Sequence, residues 1–438
     1  NNPHAIFSYY YYGDIMKIGV ILGRGVEGVG VTKNVVEFQK LFPGVEIFAT
    51  MDKLWPRRES MNFPVSYFRG ADWDMVSKST KKFPNLIACK DVVDRINKLD
   101  ACIIWSIPSK SHSEECIDNF IRMAANINVR KGLVQVDHKM ASITRNARLA
   151  DVCNNVDVLM CHSVENDFAR WTRKNNIKTP LTNMGVGFNF NKDYWKPIEE
   201  QDARYVRWVG RTAMWKGPDV MIDIHNDHFR KAGFITVLEG LEASIQYPLV
   251  LYKNSKEKKD RRDVINYFRP EKGIDENKTR HPVYGSEQEN MGAYLYSSYT
   301  HSEMMERMSL NGFGSDLMYF KSNLYGDNLE YCHTDSFAAG VIPIFHKHLC
   351  DNVIHRKLDC PISQCANNGT IGIDHTNAAE MTELMLLLRH ENNMRAEWRD
   401  MMFEFWKDHC SADIVYNDII DKTLNFNKTE AVGLEAFF

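Results

Sequence analysis

The stretch "RWVGRTAMWKGPDVM", Arg207 to Met221, decides how the chain folds. A hydrophobic run, "RYVRWVG", leads into Gly210 and reads as a β-strand, while "GPDVMIDIHNDHF" beyond it has helical spacing. Arg211 and Lys216 stand between them, five residues apart, at a strand end and the mouth of a helix. The first turn of a helix has free N–H groups and a positive dipole end, so it already favours anions. Two fixed cations there strengthen that preference. Arg suits a bidentate grip on phosphate oxygens, and Lys acts as a point charge. The other reading of the pair is a surface Arg and Lys beside a turn, and taken alone the two residues leave both open.

The same strand-then-helix grammar runs outward from this stretch. Upstream come the strands "MKIGVILG", "VEIFAT", "ACIIWSI", "GLVQVDH" and "DVLMCHS". Helical runs separate or follow them: "VTKNVVEFQKLF", "DVVDRINKL", "EECIDNFIRMAANI" and "ENDFARWTRK". Downstream, "ITVLEG", "HPVYGS" and "VIPIFHKH" supply strands, and "LEYCHTDSFAAG" reads as a helix ended by Gly340. A long helical stretch runs from "NAAEMTELMLLL" to "DIIDKTL". The polar segment 185–203 breaks the series in two. Such alternation predicts an α/β protein of two doubly wound domains with a cleft between them, and function at the carboxyl ends of the strands.

The totals narrow the function classes. At 438 residues, two or three domains are expected. Hydrophobic residues at 44% and aromatics at 11% are enough to fill cores. A net charge of −3 excludes a global basic field, so a nucleic-acid partner requires local positive charge. Ten cysteines without CxxC pairs read as reduced thiols. The group His346, His348, Cys350, His355, Cys360 and Cys365 fits no zinc spacing, and no metal is expected. No apolar run reaches transmembrane length. Residues 1–15 have no signal-peptide pattern and are expected to be a non-native or upstream extension, with Met16 the natural start.

A second glycine-rich turn competes with the first. Gly23, Gly25 and Gly28 spell G-x-G-x-x-G after a strand and before a helix, and Asp52 follows the second strand. That is the dinucleotide-binding pattern, so an NAD-dependent oxidoreductase is one hypothesis. The physics of such a turn is close backbone approach, which a sugar nucleotide or an acceptor group satisfies as well. Glu27 inside it sits poorly beside a pyrophosphate. Arg211 and Lys216 favour the other class, a nucleotide-sugar transferase whose departing diphosphate gains negative charge. "GFGSDL", Gly312 to Leu317, reads as a flexible turn offering backbone to sugar hydroxyls or phosphate. Glu330 and Asp335 lie on or beside the next helix, roughly 140° apart around an ideal axis. An acid there can take two ribose hydroxyls, or simply face solvent.

"GRGVEGVGVTK", "RWVGRTAMWKG", "VLEGLEAS", "SEMMERMSLNGFG" and "LEYCHTDSFAAGVIPIF" together resemble the DNA α-glucosyltransferases of T-even bacteriophages, in order and spacing, along most of the chain from Met16. The resemblance implies a GT-B fold, with two Rossmann-like domains and a final helix crossing back to the first. The domains expected on it are 16–190, an N-terminal Rossmann-like domain; 191–405, the nucleotide-sugar-binding domain; and 406–438, the crossover helix and tail. It implies transfer of glucose from UDP-glucose to 5-hydroxymethylcytosine in double-stranded DNA, with retention, protecting phage DNA from nucleases in the cytoplasm of the infected bacterial host. No cofactor is implied beyond the UDP-sugar donor, and no membrane partner.

Carried over by position, Arg211 and Lys216 hold the diphosphate, and Asp335 holds the ribose in place of the family's Glu. Gly28, Gly30, His162, Glu239, Gly312, Gly314 and Glu330 are further donor contacts. "QVDHK" resembles a family segment Q-H-D-H, which makes Asp137 the candidate for orienting or deprotonating the acceptor hydroxyl and puts Val136 where the family has histidine. With no carboxylate nucleophile evident in the family, the resemblance implies front-face substitution, the leaving diphosphate taking the acceptor's proton. A base inside a duplex must leave the stack to react. For DNA phosphates the candidates are Lys253, Lys256, Lys258, Lys259, Arg261 and Arg262, with Arg57 and Arg58. The run "KNSKEKKDRR" that carries the first six also reads as a solvated loop. The Val136 and Asp335 departures keep open another UDP-sugar, such as UDP-arabinose, on hydroxymethyl- or hydroxycytosine DNA.

Overall fold

Strands β1 (Ile18–Leu22) and β5 (Ala101–Trp105) lie side by side at the centre of an eight-stranded sheet. The computed structural model describes residues 16–23, 35, 37–51, 65–76, 86–108, 112–135, 148–161, 167–185, 187–188, 190–210, 221, 224–240, 280–282, 293–296, 301–315, 331–344 and 378–426. By contacts the chain divides into two compact units. The first takes the residues up to Asn189 and again from Cys410, and the second takes Phe190 to His409 apart from 323–326.

The other strands of the first unit are β2 (Glu46–Thr50), β3 (Val65–Phe68), β4 (Leu86–Ile87), β6 (Arg130–Gln135), β7 (Val158–Cys161) and β8 (Leu181–Asn183). Their order is β4-β3-β2-β1-β5-β6-β7-β8, and every pair is parallel. Side chains alternate between two cores. Cys102, Ile104 and Leu133 join a cluster with Val92, Ile117 and Phe120, whereas Ile103, Trp105 and Val134 join one with Phe38, Tyr416 and Ile419. Burial on both faces explains why β1 and β5 are continuously apolar rather than alternating. Helices α1 (Cys89–Ile96), α2 (Glu114–Asn126), α3 (Leu149–Asn154) and α4 (Asp167–Lys174) supply the first face. Ser113 caps α2 by accepting the Cys116 N–H at 3.2 Å, satisfying a helix-start donor.

The second unit carries β9 (Asp202–Gly210), β10 (Ile235–Gly240), β11 (Arg280–Pro282), β12 (Ala293–Tyr296), β13 (Asn311–Ser315) and β14 (Ile342–Ile344). The order is β11-β12-β10-β9-β13-β14, parallel except for β11. Helices α5 (His301–Ser309) and α6 (Tyr331–Ala339) flank β13, and α7 (Ala378–His390) and α8 (Asn392–Cys410) follow later. The turn expected at Gly312–Leu317 is, over Asn311–Ser315, an interior strand between β9 and β14. Its glycines answer to neighbours: a Cβ on Gly312 would fall 2.7 Å from Ala203 Cα, and one on Gly314 would strike the Ser336 hydroxyl. The helix expected over 217–229 ends in a π-turn, His225–Phe229.

The C-terminal helical stretch is three helices, not one. Arg395 binds the carbonyls of Leu388 and Arg389, which closes α7. Ser411 breaks the helix between α8 and α9 (Ala412–Asn425). There Phe188 N–H donates to Cys410 and Ala412 N–H donates to Phe188. Helix α9 returns to the first sheet. Tyr416 is fully buried and packs edge-on against Phe38 and Trp105, with centroids 5.3 and 6.2 Å apart.

Candidate active site

Both sheets reverse their direction of growth at the centre, and the first does so between β1 and β5. The chain builds outward from β1 to β4 and then returns to lay β5 on the other side of β1. In doubly wound sheets ligands bind outside the carboxyl ends of the strands at such a point. Here those ends are tied together. Gly23 N–H donates to Trp105 at 3.2 Å, Ser106 N–H donates to Val134 at 2.7 Å, and Ile107 N–H donates to Oε1 of Gln135 at 3.2 Å. A side chain at Gly23 would run into the Ser106 carbonyl oxygen, so this position requires glycine. Ser106 adopts φ +64°, a left-handed conformation uncommon for a non-glycine residue.

The second sheet reverses between β9 and β13. Strand β9 ends at Gly210, in register with Gly240 at the end of β10, and Ser315 ends β13 opposite Trp208. Gly210 ends a switch-point strand at its carboxyl edge, and Arg211 follows it directly in the sequence. Helix α6 lies between β13 and β14 in sequence, so its N-terminus comes from the same edge. The other end of α6 is locked. Gly340 at φ +70° donates to Phe337, Val341 donates to Ser336, each at 3.0 Å, and the Trp195 indole donates to the Phe337 carbonyl at 3.1 Å. Asp335 sits in the second turn, 3% exposed, between buried Thr334 and Ser336.

Of the site residues read from sequence, Glu239 is the second-last residue of β10, Gly312 and Gly314 lie in β13, and Asp335 lies in α6. Gly314 and Asp335 are brought to neighbouring elements, since Ser336 backs directly onto Gly314. Gly28, Gly30, Asp137, His162, Arg211, Lys216, Glu330, the DNA candidates Lys253, Lys256, Lys258, Lys259, Arg261 and Arg262, and Arg57 and Arg58 lie outside the described residues. So do residues 1–15 and the His346–Cys365 group; among the described residues no cluster could hold a metal ion. Sequence reading missed the polar groups at the first switch point. Gln135, a fully buried polar residue ending β6, stood in the quoted segment "QVDHK" but was given no role there.

A sequence profile described as "AGT: DNA alpha-glucosyltransferase" matches residues 65–389. The chain belongs to the DNA alpha-glucosyltransferase family. It is similar to the DNA alpha-glucosyltransferase of Enterobacteria phage T4, 27% identical over 437 residues, covering 93% of this chain and 99% of the relative. Two solved alpha-glucosyltransferase structures cover the same shares. One, in complex with UDP and a 13-mer DNA containing a HMU base, is 27% identical with a TM-score of 0.69. The other, in complex with UDP-glucose and DNA containing an abasic site, is 28% identical with a TM-score of 0.67. Two Rossmann-like parallel sheets with a C-terminal helix returning to the first constitute the GT-B fold of this family. Family membership makes the protein a UDP-sugar-dependent glycosyltransferase and retires the NAD-dependent reading of the N-terminal glycines. Among the described residues no helix is long and apolar enough to cross a membrane.

Proposed function

We propose that this DNA alpha-glucosyltransferase moves glucose from UDP-glucose to the hydroxymethyl oxygen of 5-hydroxymethylcytosine in double-stranded DNA, with retention, in the cytoplasm of a phage-infected bacterium. The family match over residues 65–389 carries the reading. The solved relatives hold UDP or UDP-glucose together with DNA, which supports both substrates.

In this reading the bond from the anomeric carbon to the β-phosphate oxygen breaks, and a bond to the acceptor's hydroxymethyl oxygen forms on the same face. The acceptor proton ends on the departing phosphate oxygen. Arg211 and Lys216, leaving the end of β9, neutralise the charge that grows on the diphosphate. Asp335, Glu330 and Glu239 serve the ribose and sugar. Asp137, two residues beyond the end of β6 in sequence, orients the acceptor hydroxyl for that transfer. The base is turned out of the duplex for reaction.

The test is to incubate the protein with hydroxymethylcytosine DNA and a panel of UDP-sugars, then digest the DNA and weigh the nucleosides. A mass gain of one hexose on hydroxymethylcytosine, from UDP-glucose, is the expected result. A pentose gain from UDP-arabinose would replace the donor in this reading, and unmodified nucleosides with every donor would overturn it.

A further inference from the structure

The segment Phe190–Gln201, which opens the second unit, reaches the C-terminal ends of the two helices that flank β13. The last turn of a helix leaves carbonyls without partners inside the helix. This segment brings donors to them. Trp195 Nε1 donates to the Phe337 carbonyl of α6 at 3.1 Å. Gln201 is buried, and its Nε2 donates to two carbonyls. One is that of Ser309, the last residue of α5, at 3.1 Å, and the other is that of Gly340, just past α6, at 2.8 Å. The Trp195 ring is itself held. It lies against Gly340, the charged groups of Lys192 and Arg399 each stand 4.3 Å from its centroid, and Phe403 of α8 meets it edge-on at 5.0 Å. Arg399 also donates at 2.8 Å to the carbonyl of Lys196, the next residue in sequence.

These contacts oppose any sliding of α6 along its own axis. Asp335 stands two residues before Phe337, so the donors that fix the Phe337 and Gly340 carbonyls fix Asp335 as well. A displacement of about 1 Å in a group that holds a ligand is enough to impair what it does. We infer that Trp195 and Gln201 are positioning residues for the donor nucleotide: through the C-terminus of α6 they set the placement of Asp335 toward the ribose. This rests on the reading in which Asp335 serves the ribose. The indole N–H of Trp195 and both protons of the Gln201 amide go to backbone carbonyls, so the two residues act through the helices and not on the ligand.

The experiment compares the wild type with Trp195→Phe, Gln201→Met, Asp335→Ala and the double variant Trp195→Phe with Asp335→Ala. Calorimetry well below each thermal midpoint gives the affinity for UDP. Steady-state kinetics on hydroxymethylcytosine DNA gives KM for UDP-glucose and kcat. Phenylalanine keeps an aromatic ring beside Gly340 and removes the N–H, and Gln201→Met probes the same helix end should that variant not fold. Asp335→Ala should weaken UDP binding. Trp195→Phe and Gln201→Met should each weaken it by roughly threefold to tenfold, the usual contribution of one hydrogen bond. KM for UDP-glucose should rise by a similar factor while kcat at saturation changes by less than about twofold. The double variant should bind UDP no more weakly than Asp335→Ala, because nothing is left for the tryptophan to position. A lower thermal midpoint with wild-type UDP affinity in both Trp195→Phe and Gln201→Met would overturn the inference, as would losses that add in the double variant. If Asp335→Ala binds UDP as the wild type does, the reading of Asp335 fails and the inference with it. That result differs from one in which Asp335→Ala weakens UDP binding and the other two variants do not.

Discussion

Two side chains illustrate how position sets what a group can do. Lys216 follows a strand that ends at Gly210 on the carboxyl edge of the second sheet, where the proposed reaction needs positive charge. Lys216→Ala should lower kcat on the order of 10²-fold or more while UDP-glucose binding changes much less, since the diphosphate gains most of its charge in the transition state. Steady-state kinetics on hydroxymethylcytosine DNA measures both numbers, and an unchanged kcat would remove Lys216 from the mechanism. Cys102 is the contrasting case. It is buried in β5, and burial pushes its thiol up to about 12 despite the opposing effect of Lys131. Below pH 9 the folded and unfolded chains both keep this proton, so it has no effect on stability. Between pH 9 and 12 the unfolded thiol ionises while the folded one does not, and stability falls by about 1 kcal/mol per pH unit. The thermal midpoint of the wild type should therefore drop more steeply from pH 9 to 11 than that of Cys102→Ala. Parallel slopes would mean that the thiol reaches water in the native state.

Helix α6 shows what an element needs beyond its own sequence. Its Ser336 packs directly on Gly314 of β13, and its C-terminus is held by Gly340 in a left-handed conformation under the Trp195 ring. A Cβ at Gly340 would lie 2.9 Å from that ring, in addition to the backbone penalty, so Gly340→Ala should cost about 2 kcal/mol or more. Because α6 carries Asp335, the same variant should also weaken UDP binding. A lower thermal midpoint with unchanged UDP affinity would separate Asp335 from the nucleotide. This helix stop was legible, since a glycine after a helical run has one common use. So were β1, β5, β9 and β10, which are long and apolar enough to announce themselves. Strand β13 was not. "NGFGS" has the composition of a turn, and what makes it a strand is the closeness of Ala203 and Ser336, a tertiary fact. Strands β3, β4 and β8 are too short to show a period. The site divides the same way. Arg211 and Lys216, proposed for the diphosphate, stand out in the sequence by charge type and by their place after a strand. The hydrogen bond from the Ile107 N–H to Gln135, 28 residues away, emerges only once the sheet is folded.

At the scale of the molecule the difficulty is electrostatic, since a chain of net charge −3 must hold a polyanion. Affinity for duplex DNA depends on counterions released from the phosphates that the protein neutralises, so cations must be concentrated on the surface that meets DNA. The densest run in the sequence is Lys253–Arg262, with six basic residues against two acidic. If it grips phosphates, removing each lysine that neutralises one should flatten the slope of log affinity against log salt by roughly 0.9. Replacing Lys256, Lys258 and Lys259 together by alanine should then weaken DNA binding most at low salt, and progressively less as salt rises. UDP affinity should stay the same if the run serves the DNA phosphates alone. Binding isotherms at several salt concentrations read the slope directly. A slope equal to that of the wild type would identify the run as a solvated loop and move the phosphate contacts to other basic residues, Arg57 and Arg58 first.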